Sequence, residues 1–428
     1  MLFVIYWTHL YSEIGPMSKP NHLVLFIYVS TLLFGFLAWP GLIAASKITQ
    51  PSTSVAQETY RVSLDLSMQM TFTPVATIYM PIVQKSLPQM VSVPFGYGIQ
   101  ADPRGNTVAN IGHIQTLGLN WVKFQMSWKD VEPTPGGYSW GLWDEIIGTY
   151  NANGIKVLLS IPKAPDWARP PDDDKSVEGP PQDPTKYSEF VARVADRYRG
   201  KVQAIEIWNE QNMWYEAGGM GRINAAAYTE LLQLSYQTIK AVKEDMIVIS
   251  GGLTPAGSVG GAAVDDIDYL VQMYANGAKG YFDAVGAHPA GFNCPALADW
   301  RTVTDPTAVN FRGPFENRHH SWCFLGTMEG YRNVMVANGD GDVSIIPTEF
   351  GWAVSGNPQP GYEYARDNTA EEQAQWIVEV YQWGKQQGWV GPMFLWNLDY
   401  NITAPGTELA NFGIIGTPAY NAIAGLPK

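Results

Sequence analysis

The chain has 428 residues, and 40 acidic against 27 basic side chains give it a net charge of −13. That balance excludes a nucleic-acid binder, which needs clustered Lys and Arg to neutralise phosphates. Only 16% of residues are charged and 46% are apolar, so disorder over most of the chain is excluded too. Two cysteines cannot build a disulfide scaffold, and no Cys/His cluster has zinc spacing; neither a metal nor a cofactor is expected. The 16 Trp residues exceed core filling and point to a ligand that stacks on flat aromatic faces.

The first element is apolar. No charged residue lies between Lys19 and Lys47, and residues 23–38 are nearly all hydrophobic without a polar stripe. The run is long enough to span a bilayer, and Ala44-Ala45-Ser46 offers small residues for cleavage. Residues 1–45 are therefore expected to be a signal peptide or a transmembrane anchor; retained, the segment would tether the chain to a membrane. Either way the remainder is expected outside the cytoplasm. Residues 46–93, rich in Ser, Thr, Gln and Pro, are expected to form a linker or stalk.

From residue 94 short β-branched or aromatic runs alternate with amphipathic stretches. Strands are expected at 95–100, 121–128, 156–162, 204–210, 247–253, 284–289, 345–352 and 392–398. Helices are expected at 107–117, 142–153, 184–198, 225–243, 263–276, 327–337 and 370–386. Gly118, Gly154, Gly277 and Gly388 suit helix ends, and Asp183-Pro184 and Thr369-Ala370-Glu371-Glu372 suit helix starts. Eight β–α alternations predict an α/β fold, a (β/α)8 TIM barrel over residues 94–428. An open doubly wound sheet lacks support, because no Gly-rich phosphate turn follows the first strand.

In such a barrel the chemistry sits where the strands end. The fourth strand runs Ala204-Ile205-Glu206-Ile207-Trp208-Asn209-Glu210, and the seventh runs Ile345-Ile346-Pro347-Thr348-Glu349-Phe350-Gly351-Trp352. A charge at a buried strand end is costly. Two glutamates there are either held in structural salt bridges or form the carboxylate pair that glycosidic bond cleavage requires. Strand parity further places Lys123 of the second strand opposite Glu206 inside the barrel, unless each finds its own partner.

Trp208-Asn209-Glu210 and Thr348-Glu349-Phe350-Gly351 resemble the clan A retaining glycoside hydrolases, family 39 most closely. That family includes β-xylosidases and bacterial exopolysaccharide glycosidases. The stretch from Trp128 through Val131-Glu132-Pro133 to Gly137-Tyr138 and Trp140 is similar to the segment after that family's second strand. The resemblance implies Glu210 as general acid/base and Glu349 as nucleophile. It implies Asn209 as the partner of the sugar's 2-hydroxyl, Trp396 as the floor of that subsite, and His288 as a contact of substrate or nucleophile. Gln211 stands where the family often has Pro, and Ala290 where many relatives have Tyr, so the donor that keeps Glu349 ionised is not identified.

The charge of Glu349 is expected to raise the pKa of Glu210, giving a bell-shaped pH profile with Glu349 on the acid limb and Glu210 on the basic limb. Trp128, Trp167, Trp214, Trp322, Trp352 and Trp396 lie near strand ends or in loops and are expected to line a sugar cleft, Trp128 and Trp167 included among the substrate contacts. The connection from 289 to 326 is long enough to be functional, and its Cys294 and Cys323 are expected to bond in an exported protein. The expected partner is a β-linked poly- or oligosaccharide. Endo action is preferred because the aromatics spread over several loops. An exo-acting β-xylosidase-like glycosidase and a non-catalytic carbohydrate-binding barrel are the alternatives.

Overall fold

The computed structural model describes residues 91, 93–303 and 319–428, together with the backbone of residues 43–48 and 59–64. Apart from residues 43–45, the apolar segment expected at 1–45 lies outside the described residues. So does most of the linker expected at 46–93. Ile43–Ile48 and Thr59–Leu64 are two antiparallel strands, with Ile43 opposite Leu64. The chain divides into units at 1–87 and 88–428. Among the described residues no helix is long and apolar enough to cross a membrane.

The second unit is a barrel of eight parallel strands: β1 (Gly96–Gln100), β2 (Trp121–Gln125), β3 (Lys156–Ile161), β4 (Ala204–Ile207), β5 (Ile247–Ser250), β6 (Ala284–Ala287), β7 (Ser344–Pro347) and β8 (Pro392–Leu395). They pair in chain order, and β8 returns to β1. The seam between β7 and β8 is closed by backbone bonds, among them Gly391 N–H to Ile345 O at 2.8 Å and Trp396 N–H to Phe350 O at 2.9 Å. Around the strands lie α1 (Thr107–Thr116), α2 (Gly141–Ala152), α3 (Pro184–Arg197), α4 (Ala225–Val242), α5 (Asp266–Ala275), α6 (Phe324–Ala337), α7 (Ala370–Gln386) and α8 (Pro418–Gly425).

Local chemistry explains these boundaries. Asp183 accepts from Thr185 N–H at the start of α3, and Thr369 with Glu372 forms a capping box on α7. Gly118, Gly154 and Gly277 take left-handed φ values after α1, α2 and α5. Gly388 does not; α7 ends instead in an extended Gln387. α8 was not anticipated, and it supplies the eighth crossover partner beside α7.

All eight expected strands form, but most end earlier than the sequence pattern. The fourth stops at Ile207 rather than Glu210, because Trp208 and Glu210 turn into the left-handed region at φ 72° and 46°. Trp208 accordingly leaves the alternation and packs outward against Tyr187. Inside the barrel the lower layer is apolar, with Trp121, Leu158, Ile249, Ile346 and Phe394. Above it lies a buried polar layer of Gln100, Lys123, Ser160 and Glu206. The strand ends that carry Glu210 and Glu349 stand on this second layer.

Candidate active site

Glu210 follows β4 and Glu349 follows β7, and both carboxylates reach the C-terminal mouth of the barrel. Together with His288, which follows β6, they bring one ligand-type atom each within 4.8 Å of the others. The two side chains are 20% and 14% exposed, so both remain open at the mouth.

Each oxygen of the pair has a distinct setting. Lys123 Nζ is 2.8 Å from Glu349 Oε1 and 3.3 Å from Glu206 Oε2, so the expected Lys123–Glu206 pair exists and extends upward to Glu349. Gln125 Nε2 also reaches Glu349 Oε1, at 3.4 Å. Lys123 and Gln125 are the donors that the sequence left unidentified. Burial pulls the Lys123 pKa down, but the charges of Glu206 and Glu349 outweigh it and hold the ammonium above its ordinary value.

His288 Nδ1 lies 3.1 Å from Glu210 Oε1 and 3.8 Å from Glu349 Oε2. Burial lowers the imidazole's pKa; the charge of Glu349 and the bond to Glu210 raise it above its usual value. The fit of this ring depends on Gly252. A Cβ at that position would stand 2.4 Å from the imidazole and 2.6 Å from Thr348 Oγ1. The same glycine donates its N–H to Glu206 Oε1 at 3.0 Å and accepts from Glu210 N–H at 2.9 Å.

The environment of Glu210 corrects one expectation. Burial raises its pKa, but hydrogen bonds from His288, Thr254 and Tyr215, with the charge on His288, bring it below the ordinary carboxylate value. The partner that Glu210 meets first is the imidazole, not Glu349. Tyr215 Oη donates to Glu210 Oε2 at 2.8 Å, while burial and the Glu210 charge keep its phenol protonated. Tyr215 was not anticipated: it lies in an irregular turn, where no periodicity marks it.

Asn209 is buried, with Oδ1 accepting from Gln125 Nε2 at 3.2 Å. Trp396 is half-buried at the end of β8 and stacks on Tyr400, with ring centroids 5.1 Å apart. Trp128 is a correction. It is fully buried, stacks on Phe190 and donates to Glu132 Oε2 at 2.8 Å, so no sugar reaches its face. Trp322 and Trp352 are also inside, tied to Asn293 and to Cys294 O. Trp167 and Trp214 remain half-buried; Trp167 sits edge-on to Trp128 and donates to Glu132 O. Cys294 and Cys323 are bonded.

A second group of metal-type ligands, Asp265, His319 and His320, gathers at the start of α5. Both imidazole Nε2 atoms lie near Asp265 Oδ2, at 3.1 and 2.9 Å. His319 Nδ1 accepts from Ser321 N–H, which places that ring's proton on Nε2 and makes its contact a hydrogen bond to the carboxylate. A cavity of about 450 Å³ opens at the opposite end of the barrel, lined by Val93, Asp283, Ser344 and Val390, and holds neither catalytic-type glutamate.

A family model described as beta-galactosidase matches residues 100–171, a segment that ends before Glu210. Beta-galactosidase BgaA of Thermus sp is 34% identical over 68 residues, 15% of this chain and 10% of that protein. A beta-galactosidase of Thermus thermophilus is 40% identical over 57 residues, 13% of this chain and 9% of that protein. The matches thus span about a tenth of these relatives' length.

Among solved structures, a family 39 glycoside hydrolase from the gut symbiont Bacteroides cellulosilyticus WH2 aligns with a TM-score of 0.56 at 18% identity, covering 87% of this chain and 70% of its own. A monomeric beta-xylosidase from Caulobacter crescentus CB15 aligns at 0.53 and 17% identity, covering 78% and 69%. At these identities the likeness is one of fold.

Proposed function

We propose that the chain is a retaining glycoside hydrolase that cleaves β-linked sugars by double displacement, with Glu349 as nucleophile and Glu210 as acid/base. The observation that carries this reading is that one oxygen of each carboxylate lies within 4.8 Å of the other at the open mouth. Retaining enzymes need roughly 5–5.5 Å between carboxyl groups, and inverting ones more, to admit a water. The fold likeness to glycosidases and the short beta-galactosidase match support the same reading.

The chemistry follows from the contacts. Lys123 and Gln125 occupy Glu349 Oε1, which leaves Oε2 to attack the anomeric carbon. As that C–O bond forms, the bond to the leaving oxygen breaks, and the oxygen takes a proton from the Glu210–His288 pair. In the second step a water gives its proton back to Glu210, its oxygen bonds to the anomeric carbon, and Glu349 departs. Because Glu210 and His288 share a hydrogen bond, their proton belongs to the pair, and the basic limb of the rate profile reports the pair. Asn209 faces the 2-hydroxyl and Trp396 the flat face of the same sugar.

Half-buried Trp167, Trp214 and Trp396 on three separate loops support attack within a glycan chain. A glycan panel assayed with wild type and Glu349→Gln tests both points. Oligosaccharide products from wild type, and a fall of at least about 10³-fold in Glu349→Gln, are expected. Equal rates would contradict the nucleophile, and single-sugar release from chain ends would contradict endo action. The uncharged stretch before Lys47 supports export; recovery of the protein from the cytosol on cell fractionation would oppose it.

A further inference from the structure

Gln125 ends β2 half-buried at the mouth, and its amide joins Asn209, after β4, to Glu349, after β7. Its Nε2 donates to Asn209 Oδ1 at 3.2 Å and to Glu349 Oε1 at 3.4 Å. Which end of an amide carries the nitrogen is decided by its partners, and here the decision starts inside the barrel. Lys123 can only donate. Its ammonium, sealed beside Glu206, reaches Glu349 Oε1 at 2.8 Å, so that oxygen accepts. Gln125 must then turn its nitrogen toward Glu349, because the reversed amide would set oxygen against the carboxylate. With its nitrogen so placed, Gln125 meets Asn209 as a donor, and Asn209 must answer with Oδ1.

We infer that Gln125 fixes the orientation of the Asn209 amide, so that Asn209 offers the sugar only N–H groups and the site selects glycosides with a hydrogen-bond acceptor at C2. Gln125 is thus a positioning residue acting through Asn209. An Asn209 turned the other way would set its Nδ2 against the Gln125 nitrogen. Asn209 is buried, and two opposed donors there would each lose a partner. In the fixed orientation the oxygen of the 2-hydroxyl takes an Asn209 N–H. A 2-deoxy sugar leaves that N–H unpaired, which a site built for a hydroxyl penalises. The chain of bonds survives both displacements. While Glu349 Oε2 carries the glycosyl group, Oε1 is the ester's carbonyl oxygen and still accepts from Lys123 and Gln125.

The inference rests on the hydrolase reading, and the experiment separates the two. Wild type, Gln125→Met, Asn209→Ala, the double variant and Glu349→Gln are assayed on the aryl β-glycoside that wild type cleaves fastest and on its 2-deoxy counterpart. The readout is the ratio of kcat/KM on the 2-hydroxy substrate to that on the 2-deoxy one. Both substrates need Glu349, so any harm that the loss of Gln125 does to the nucleophile cancels in this ratio. The ratio is expected to fall at least about threefold in Gln125→Met and further in Asn209→Ala. The double variant is expected within about twofold of Asn209→Ala alone, because Gln125 acts through the side chain already removed. A smaller fall in folded Gln125→Met would overturn the inference. So would a ratio that Asn209→Ala leaves unchanged, or a larger further fall in the double variant. If circular dichroism shows Gln125→Met unfolded, Gln125→Ala takes its place with the same outcomes. Failure of the hydrolase reading looks different: wild type cleaves neither substrate, or Glu349→Gln matches it.

Discussion

Lys123 joins the barrel interior to the Glu349 carboxylate at the mouth. Its ammonium is fully buried between Glu206 and Glu349, and its loss leaves Glu206 charged and sealed among apolar and polar walls. Breaking such an arrangement by removing one partner costs about 3–5 kcal/mol. Lys123→Met should therefore lower the unfolding free energy by that order, read by denaturant titration. A loss below about 1 kcal/mol would mean that the contacts carry little. His288 offers a second test at this scale, through pH. Its pKa is raised in the fold, so its stabilising contribution is complete below the ordinary imidazole value and disappears as pH rises through the raised one. Glu210, lowered in the fold, contributes above the ordinary carboxylate value and loses that contribution as pH falls through its lowered one. Wild type should be most stable between those two limits. His288→Phe should remove the alkaline decline and, by taking a donor from Glu210, the acid-side contribution as well. A melting-temperature profile parallel to wild type above neutrality would contradict the pairing.

At the scale of elements, the strand ends need support because the ladder stops before the rim. Tyr187 of α3 bonds Ile161 O and Trp208 N–H, and Tyr228 of α4 bonds Ile207 O and Gly251 N–H, where β3, β4 and β5 diverge. These hydroxyls replace missing ladder bonds and hold the turn that carries Glu210. That turn needs holding: Trp208 and Glu210 with positive φ cost roughly 1–3 kcal/mol each. Tyr228→Phe orphans a buried N–H and a carbonyl and should cost about 1–3 kcal/mol, with a fall in kcat as Glu210 shifts. Unchanged stability and kcat would mean that the turn holds itself. The strands themselves were legible, because short β-branched runs between amphipathic stretches mark them. Their ends were not. Ile207-Trp208-Asn209-Glu210 keeps the residue types of a strand after the ladder has ended, and the tyrosines that bend it come from distant helices. α8 escaped for another reason: eight residues, many of them small, make a weak periodic signal.

For the whole molecule, closure of the cylinder brings together what the chain separates. Lys123 and Glu349 lie 226 residues apart in sequence. The two glutamates were legible because a charge at a strand end has few bland explanations. Their partners were less so. Strand parity gave Lys123 its Glu206, but the reach to Glu349 depends on how β2 and β7 face across the mouth. Tryptophan counting failed in part for the same reason. Trp128, Trp322 and Trp352 sit close to the rim in sequence, and the loops fold over them into the core.

The central claim assigns one role to each carboxylate, and azide rescue tests both roles together. A small anion can enter the space left by a removed carboxylate and react from that side. With a β-linked substrate, Glu349→Ala plus azide should give the α-glycosyl azide. Glu210→Ala plus azide should give the β-glycosyl azide by intercepting the glycosyl-enzyme formed on Glu349. The reversed pattern, or no rescue of either variant while wild type is active, would contradict the account.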